Sequence, residues 1–397
     1  MDILERFKKY IAFDTVSDEN SPTYPSTSTQ IEFGKMMVAD LLKEGVTDAV
    51  QDESGNVYGH VYNGSKETLG LIAHMDTAPT IAGGCKKTRS IVNYDGGDIH
   101  LNDKYVMSPS DFDCLKTVVG EDLLVTDGEH LLGGDDKAGI VIIFEFLKYY
   151  ITHKEEFNYN LAICFTCDEE IGLGASHFDV KKMGANIGYT LDGGPIYYAN
   201  YENFNAASAK LIIEGVGVHP GSAKNIMVNA VLLGHEFLSK LPKDMIPSKT
   251  EGHEGFIHCD SFVGDVEKVE LYFILRDHDK ALLEEKKAMM IRAKEEIERD
   301  YPKAVLKLEI KDTYRNMRDY FINDMRAITL INKAYIESNT KIEYVPIRGG
   351  TDGATITYMG LPCPNLGIGD FNAHGRFEFV SVTQMKKMVE ILKNLFK

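Results

Sequence analysis

Three short stretches decide the fold: residues 69–77 (LGLIAHMDT), 161–172 (LAICFTCDEEIG) and 187–194 (IGYTLDGG). Each opens on an apolar run too short for a typical helix and closes on acid or histidine. Such runs read as strands buried on both faces. Between the first two lies 131–139 (LLGGDDKAG), which leads into an apolar helix expected over 137–150. Upstream, residues 1–45 read as an amphipathic helix, a polar loop (SDENSPTYPSTST, 17–29) and a second helix near 30–44. Alternating strands and helices imply a largely parallel sheet covered by helices on both sides. Further strands are expected near 344–347 and 365–369, and a last helix over 382–396.

The pattern changes after Tyr201. Strands are expected at 206–215, 256–264, 266–276 and 305–312, with helices at 225–241 and 279–299. That β-α-β-β-α-β order is the ferredoxin-like arrangement, and it is long enough for a separate small domain. The expected division is therefore a catalytic domain in two parts, 1–203 and 315–397, interrupted by an inserted α+β domain at 204–314. The charged helix 279–299 reads as a solvated face.

Composition narrows the function. The 397 residues carry 60 acids against 43 lysines and arginines, a net charge of −17. Such a surface repels polyphosphate and anionic lipid, which disfavours nucleic acid and membrane as partners. No apolar run reaches the roughly 20 residues of a membrane span. The opening MDILERFKKY is charged and amphipathic and does not read as a secretory signal, so a cytoplasmic location is expected. Six cysteines are too few for a disulfide scaffold. Cys164 and Cys167 sit in strand-like sequence, where positions three apart point to opposite faces, and they read as buried thiols. No GxxxxGK[ST] occurs and no GxGxxG opens a helix after a strand, which disfavours nucleotide chemistry. The methionines and aromatics read as core.

Ligands of open α/β sheets bind beyond the carboxyl ends of the strands. At those ends stand His74 and Asp76; Asp168, Glu169 and Glu170; Asp192; and, past a short loop, His374. Asp135 and Asp136 come from the loop between. Any one of these alone reads as a helix cap or a structural histidine. Together they gather more negative charge than one cleft tolerates without cations. Two histidines with several carboxylates fit zinc, manganese or cobalt, and the donor set points to two ions. His74 and Asp76 share a strand face, so one can bind metal while the other orients its ring. Glu169 and Glu170 diverge, so one can ligate and leave its neighbour free to carry a proton. Spacing does not choose between Asp135 and Asp136.

Taken together, AHMDT, LLGGDDKAG, CDEEIG, TLDGG and AHG resemble the co-catalytic zinc peptidases of the aminoacylase and glutamate carboxypeptidase superfamily. YENFNAAS, VHPGSAKNIMVNA, EGHEGF, RDHD, RNMRDY, PIRGGTDGA and MGLPCPNLG narrow the resemblance to its peptidase T group, the tripeptide aminopeptidases, over nearly the whole chain. The resemblance implies a catalytic α/β domain with a mostly parallel sheet and an inserted ferredoxin-like lid. It implies two Zn2+ per subunit, with Co2+ or Mn2+ as substitutes. His74, Asp135 and Asp192 would hold one ion, and Asp135, Glu170 and His374 the other. Asp76 would orient His74 and Glu169 would be the general base, with a cis Asp135–Asp136 peptide bond.

For the substrate, the resemblance points to His219 near the oxyanion and to Arg276 and Arg348 on a peptide carboxylate, beside Gly349, Gly350 and Thr351. Asn205 is a weaker candidate. Asp98, His100 and Asp127 read as solvated. The expected activity is removal of the N-terminal residue from tripeptides. A dipeptidase, carboxypeptidase or N-acyl amino-acid hydrolase would use the same metal core. A zinc-dependent peptide-binding or storage protein is the non-enzymatic rival, and an unligated acid at Glu169 argues against it. The inserted domain of this superfamily pairs subunits in some members and only covers the site in others, so a homodimer and a monomer are both open.

Overall fold

A computed structural model describes residues 1–397. At its centre the strands Asn160–Thr166, Thr68–His74, Ile187–Leu191 and Asn365–Leu366 run parallel in that order. Their register aligns His74 with Thr166, Ile72 with Thr190, and Leu366 with Leu191. All four strands thus end at one edge, and the residues that follow them gather there. Beyond this parallel centre the sheet is mixed. Val57–Val61 and Val50–Gln51 add antiparallel strands on one side. On the other side Tyr198–Asn200 pairs antiparallel with Asn365–Leu366, and Glu343–Tyr344 adds a parallel outer strand.

Helix Gly134–Thr152 is apolar nearly all round, and it is buried nearly all round. It packs on strand Thr68–His74 and on helices Ile3–Ile11 and Val382–Leu395. Phe144 of this helix stacks on Phe165 of the sheet, with ring centroids 5.8 Å apart. On the opposite face Ile72 and Cys164 pack with Phe178, Met183 and Ile356. Cys164 and Cys167 are both buried free thiols, as expected. No helix is long and apolar enough to cross a membrane.

A second, small sheet orders Asp370–Phe371, Phe379–Ser381, Leu123–Val125 and Arg89–Ile91. Sequence reading missed it, because strands of two or three residues carry no periodicity. Its hairpin carries His374 at the tip, and its strand Leu123–Val125 leads through a loop to the first turn of helix Gly134–Thr152, which bears Asp135.

The chain divides into two compact units. The first comprises Met1–Tyr201, Asp319–Val345 and Thr351–Lys397, and contains both sheets above. The second comprises Glu202–Arg318 and Pro346–Gly350. Its four strands are ordered Phe256–Gly264, Lys268–Asp277, Asn205–Glu214, Val305–Asp312, all antiparallel. Helices Ala230–Lys240 and Lys280–Asp300 cover one face over a core that includes Leu211, Phe237, Leu271 and Met290. This is the ferredoxin-like order that the sequence suggested. The helix expected to be a solvated face is amphipathic, burying Leu283, Lys286, Met290, Ala293 and Ile297.

The unit differs from the expected 204–314 by starting at Glu202, ending at Arg318 and taking in the distant Pro346–Gly350. Arg348 is the physical reason for that last segment. Its Nη1 donates to the Gly252 and Glu254 carbonyls at 2.8 Å each, and its Nη2 to Thr250 O at 3.2 Å and Thr250 Oγ1 at 3.0 Å. Its guanidinium also lies 5.1 Å from the Phe204 ring centre. Both ends of its fork thus have partners within the unit.

Candidate metal centre

The strand ends of the first unit bring the predicted residues together. His74 closes its strand, and its Nε2 lies 3.0 Å from Asp135 Oδ1 and 3.8 Å from Asp192 Oδ1. His374 approaches from the small hairpin, and its Nε2 lies 3.3 Å from Asp135 Oδ2 and 2.8 Å from Glu170 Oε2. Asp135 therefore turns one carboxylate oxygen to each imidazole. The ligand atoms of His74, Asp135 and Glu170 fall within 4.8 Å of one another, and so do those of His74, Asp136 and Asp192. Asp136, however, is already engaged. Its Oδ2 accepts the His74 N–H at 2.9 Å and its Oδ1 the Gly139 N–H at 3.2 Å. Of the two, Asp135 is the one whose carboxylate faces both imidazoles. The Asp135–Asp136 peptide bond is cis.

Asp76 contacts more than the His74 ring. It is fully buried, with Oδ1 3.3 Å from His74 Nδ1. The same carboxylate accepts the Glu169 N–H at 3.0 Å and the Glu170 N–H at 3.2 Å. One side chain thus fixes the histidine and the turn that carries both glutamates. Asp168, expected at the rim, turns away from it. Its carboxylate accepts Ser26 N–H at 2.6 Å, Ser26 Oγ–H at 2.5 Å and Gln30 Nε2–H at 2.6 Å. Nothing in the sequence signalled Ser26 or Gln30, since the contact joins a polar loop to a strand end far along the chain.

The electrostatics ask for cations. Burial and the Asp135 charge push the Asp192 carboxyl well above its usual range, and the same two causes raise Glu170. Burial, Asp192 and Asp352 do the same to Glu169. Asp135 goes the other way: burial opposes it, but His374 and His74 hold its carboxyl low. The contacts with Asp135 and Glu170 raise the His374 imidazole to about 11. Glu170 Oε1 is buried without any hydrogen-bond partner. Two imidazoles, three clustered carboxylates and one orphaned oxygen fit divalent ions, which would replace the protons that the acids otherwise retain. The Glu169 carboxylate has no ion-pair partner and stays half-buried beside this cluster.

The candidate substrate residues lie in the second unit. His219 is exposed, and its Nδ1 accepts the Gly221 N–H at 3.1 Å, which leaves Nε2 as the proton-bearing donor. Arg276 Nη1 donates to Leu275 O at 2.9 Å and Ala207 O at 3.2 Å, and its guanidinium lies 5.1 Å from the Tyr314 ring centre. Asn205 is buried and spent on the fold, donating to His278 O at 3.0 Å and accepting the Asn316 N–H at 3.0 Å. In the first unit Asp98 and His100 are exposed, and Asp127 pairs with His130 at 3.0 Å.

Residues 124–397 match the family model described as Peptidase family M20/M25/M40. A curated relative named Peptidase T from Clostridium acetobutylicum is 44% identical over 396 residues, covering 98% of this chain and 97% of the relative. Among solved structures, aminopeptidase PepT from Bacillus cereus superposes with a TM-score of 0.77 at 20% identity, over 99% of this chain and 97% of that one. A tripeptidase from Staphylococcus aureus gives 0.76 at 20% identity, over 100% and 97%.

Proposed function

The chain belongs to Peptidase family M20/M25/M40, and on that premise we propose that it is a tripeptide aminopeptidase with a dinuclear metal centre. The observation that carries the metal reading is Asp135, one oxygen toward His74 at 3.0 Å and the other toward His374 at 3.3 Å. In this reading His74, Asp135 and Asp192 hold one ion and Asp135, Glu170 and His374 the other, with zinc as the metal and cobalt or manganese as substitutes. Bound there, two divalent ions supply a Lewis acid for the scissile carbonyl and lower the pKa of water.

The protein's own part is proton transfer and orientation. Asp76 holds the His74 ring and the Glu169–Glu170 turn. Glu169 accepts a proton from water as its oxygen bonds to the carbonyl carbon. It returns that proton to the amide nitrogen as the C–N bond breaks, releasing the N-terminal amino acid and a dipeptide. The raised affinity of Glu169 for protons, caused by burial and by Asp192, suits that exchange. His219 is the candidate donor to the oxyanion through Nε2–H, and Arg276 a candidate for a peptide carboxylate. Arg348 stays a second candidate for that carboxylate. The second unit acts as the lid and restricts the substrate to short peptides. Six free thiols and an acidic surface support a cytoplasmic setting.

A panel of di-, tri- and tetrapeptides with free or blocked termini, digested by stripped and metal-reconstituted protein, tests the reading. We expect metal-dependent release of the first residue from tripeptides with a free amine. Release of the C-terminal residue, hydrolysis of N-acylated amino acids, or preference for dipeptides would each replace it with another activity on the same core. Metal uptake without any product would make the protein a binder.

A further inference from the structure

Asp135 is held from behind as well as from the front. Glu378, fully buried, accepts the Gly133 N–H on Oε2 at 2.9 Å and the Asp135 N–H on Oε1 at 3.1 Å. The turn it grips is tight. Gly133 has a φ of +76°, in the region that favours glycine. A Cβ on Gly134 would meet Asp370 Oδ1 at 2.7 Å and Glu378 Oε1 at 3.1 Å, so the turn's backbone rests directly on the acid. Glu378 follows His374 by four residues, and its own N–H donates to Gly375 O at 3.1 Å. One short turn therefore presents His374 to the Asp135 carboxylate and Glu378 to the Asp135 backbone. Glu378 forms no ion pair with a lysine or arginine, and its oxygens go to main-chain donors.

We propose that Glu378 is a positioning residue for the metal centre: by clamping residues 133–135 it sets where the Asp135 carboxylate stands between His74 and His374. The inference rests on the metal reading above and adds a residue that touches neither ion nor substrate. A carboxylate is the right group, because it offers two acceptors and no donor to two parallel N–H groups. Glutamine has the same shape but turns an NH2 toward one of them, so one bond is lost and the turn relaxes. Partners of metal-binding side chains typically govern metal affinity by about 10–100-fold.

The test measures metal affinity by chelator competition on wild type, Glu378→Gln and a stability control, Ile391→Ala, in the buried face of the last helix. We expect Glu378→Gln to bind both ions about 10–100-fold more weakly, with the melting temperature of the metal-free protein little changed. We also expect kcat to fall while KM for a tripeptide holds. Ile391→Ala should melt earlier and bind metal normally. Wild-type affinity in Glu378→Gln, or equal loss of affinity in Ile391→Ala, overturns the clamp. If Glu378→Gln does not fold, Glu378→Asp takes its place. Its shorter side chain keeps the charge but cannot span both N–H groups, and unchanged affinity there overturns the proposal as well. A wild-type protein that takes up no metal would sink the functional reading itself, which two ions held equally by wild type and Glu378→Gln would not.

Discussion

Buried acids keep different company in the two units. In the second unit Asp277 is 2% exposed and meets Lys286, itself buried, at 2.5 Å. On that unit's sheet the more exposed acids are paired too, Glu270 with Lys210 at 2.8 Å and Lys268 at 2.6 Å, and Glu214 with Lys307 at 3.3 Å. In the first unit Asp135, Glu170 and Asp192 crowd one strand edge, and the only basic groups that pair with them are His74 and His374. An unpaired charge taken out of water costs several kcal/mol. An acid that brings its own cation is therefore part of the fold. Acids gathered without one leave a charge for an ion from solution, and that separates a structural pair from a site.

The comparison can be broken at either end. The largest effect is expected for Asp135→Asn, which removes the carboxylate that both histidines face. Both ions should be lost and turnover should drop by more than the ~10⁴-fold that general-base loss can cause; retention of two ions by elemental analysis would contradict the shared-ligand role. Next comes Glu169→Gln. It should keep both metals and lose about 10²–10⁴-fold in turnover. Intact metal with near-normal activity removes Glu169 from its role.

Asp277→Ala sharpens the other half. It strands Lys286 in the interior and should lower the stability of the second unit by about 3–5 kcal/mol in urea, with metal affinity unchanged. Loss of metal affinity would mean that the paired acid also serves the site. The smallest effect concerns Lys137, a buried lysine of the first unit whose Nζ donates to the Phe13 carbonyl at 2.9 Å rather than to an acid. Burial lowers its pKa from 10.5 to about 8. Between those values the unfolded chain holds the extra proton, so stability rises with pH; below the lower value both states are charged and the contribution is flat. Melting curves of the metal-free protein from pH 7 to 11 should show that rise in wild type and not in Lys137→Met. A parallel rise in both would remove Lys137 as its source.

Much of this was legible in the sequence because the parallel strands are long enough to read. Apolar runs ending in HMD, CDEE and LDGG gave the strand edge, and parallel register carries consecutive strand ends to one place. The β-α-β-β-α-β order of the second unit was equally plain, since its elements are long and periodic. Three things were not legible. Strands such as Asp370–Phe371 and Phe379–Ser381 are too short to show alternation, and Glu378 was hidden with them. Asp168 looked like its two neighbours, but its positive φ of 56° and its bonds to Ser26 and Gln30 turn it to a structural task. The bonds of Arg348 to Thr250, Gly252 and Glu254 were hidden as well, because an arginine that grips carbonyl oxygens within its own unit has the same one-letter context as one that grips a substrate.

The central claim is that two ions flank the Asp135 carboxylate. Anomalous diffraction at the zinc edge from metal-loaded crystals tests it most directly. The account predicts two peaks, one among His74, Asp135 and Asp192 and one among Asp135, Glu170 and His374. A single peak, or peaks away from Asp135, would contradict it.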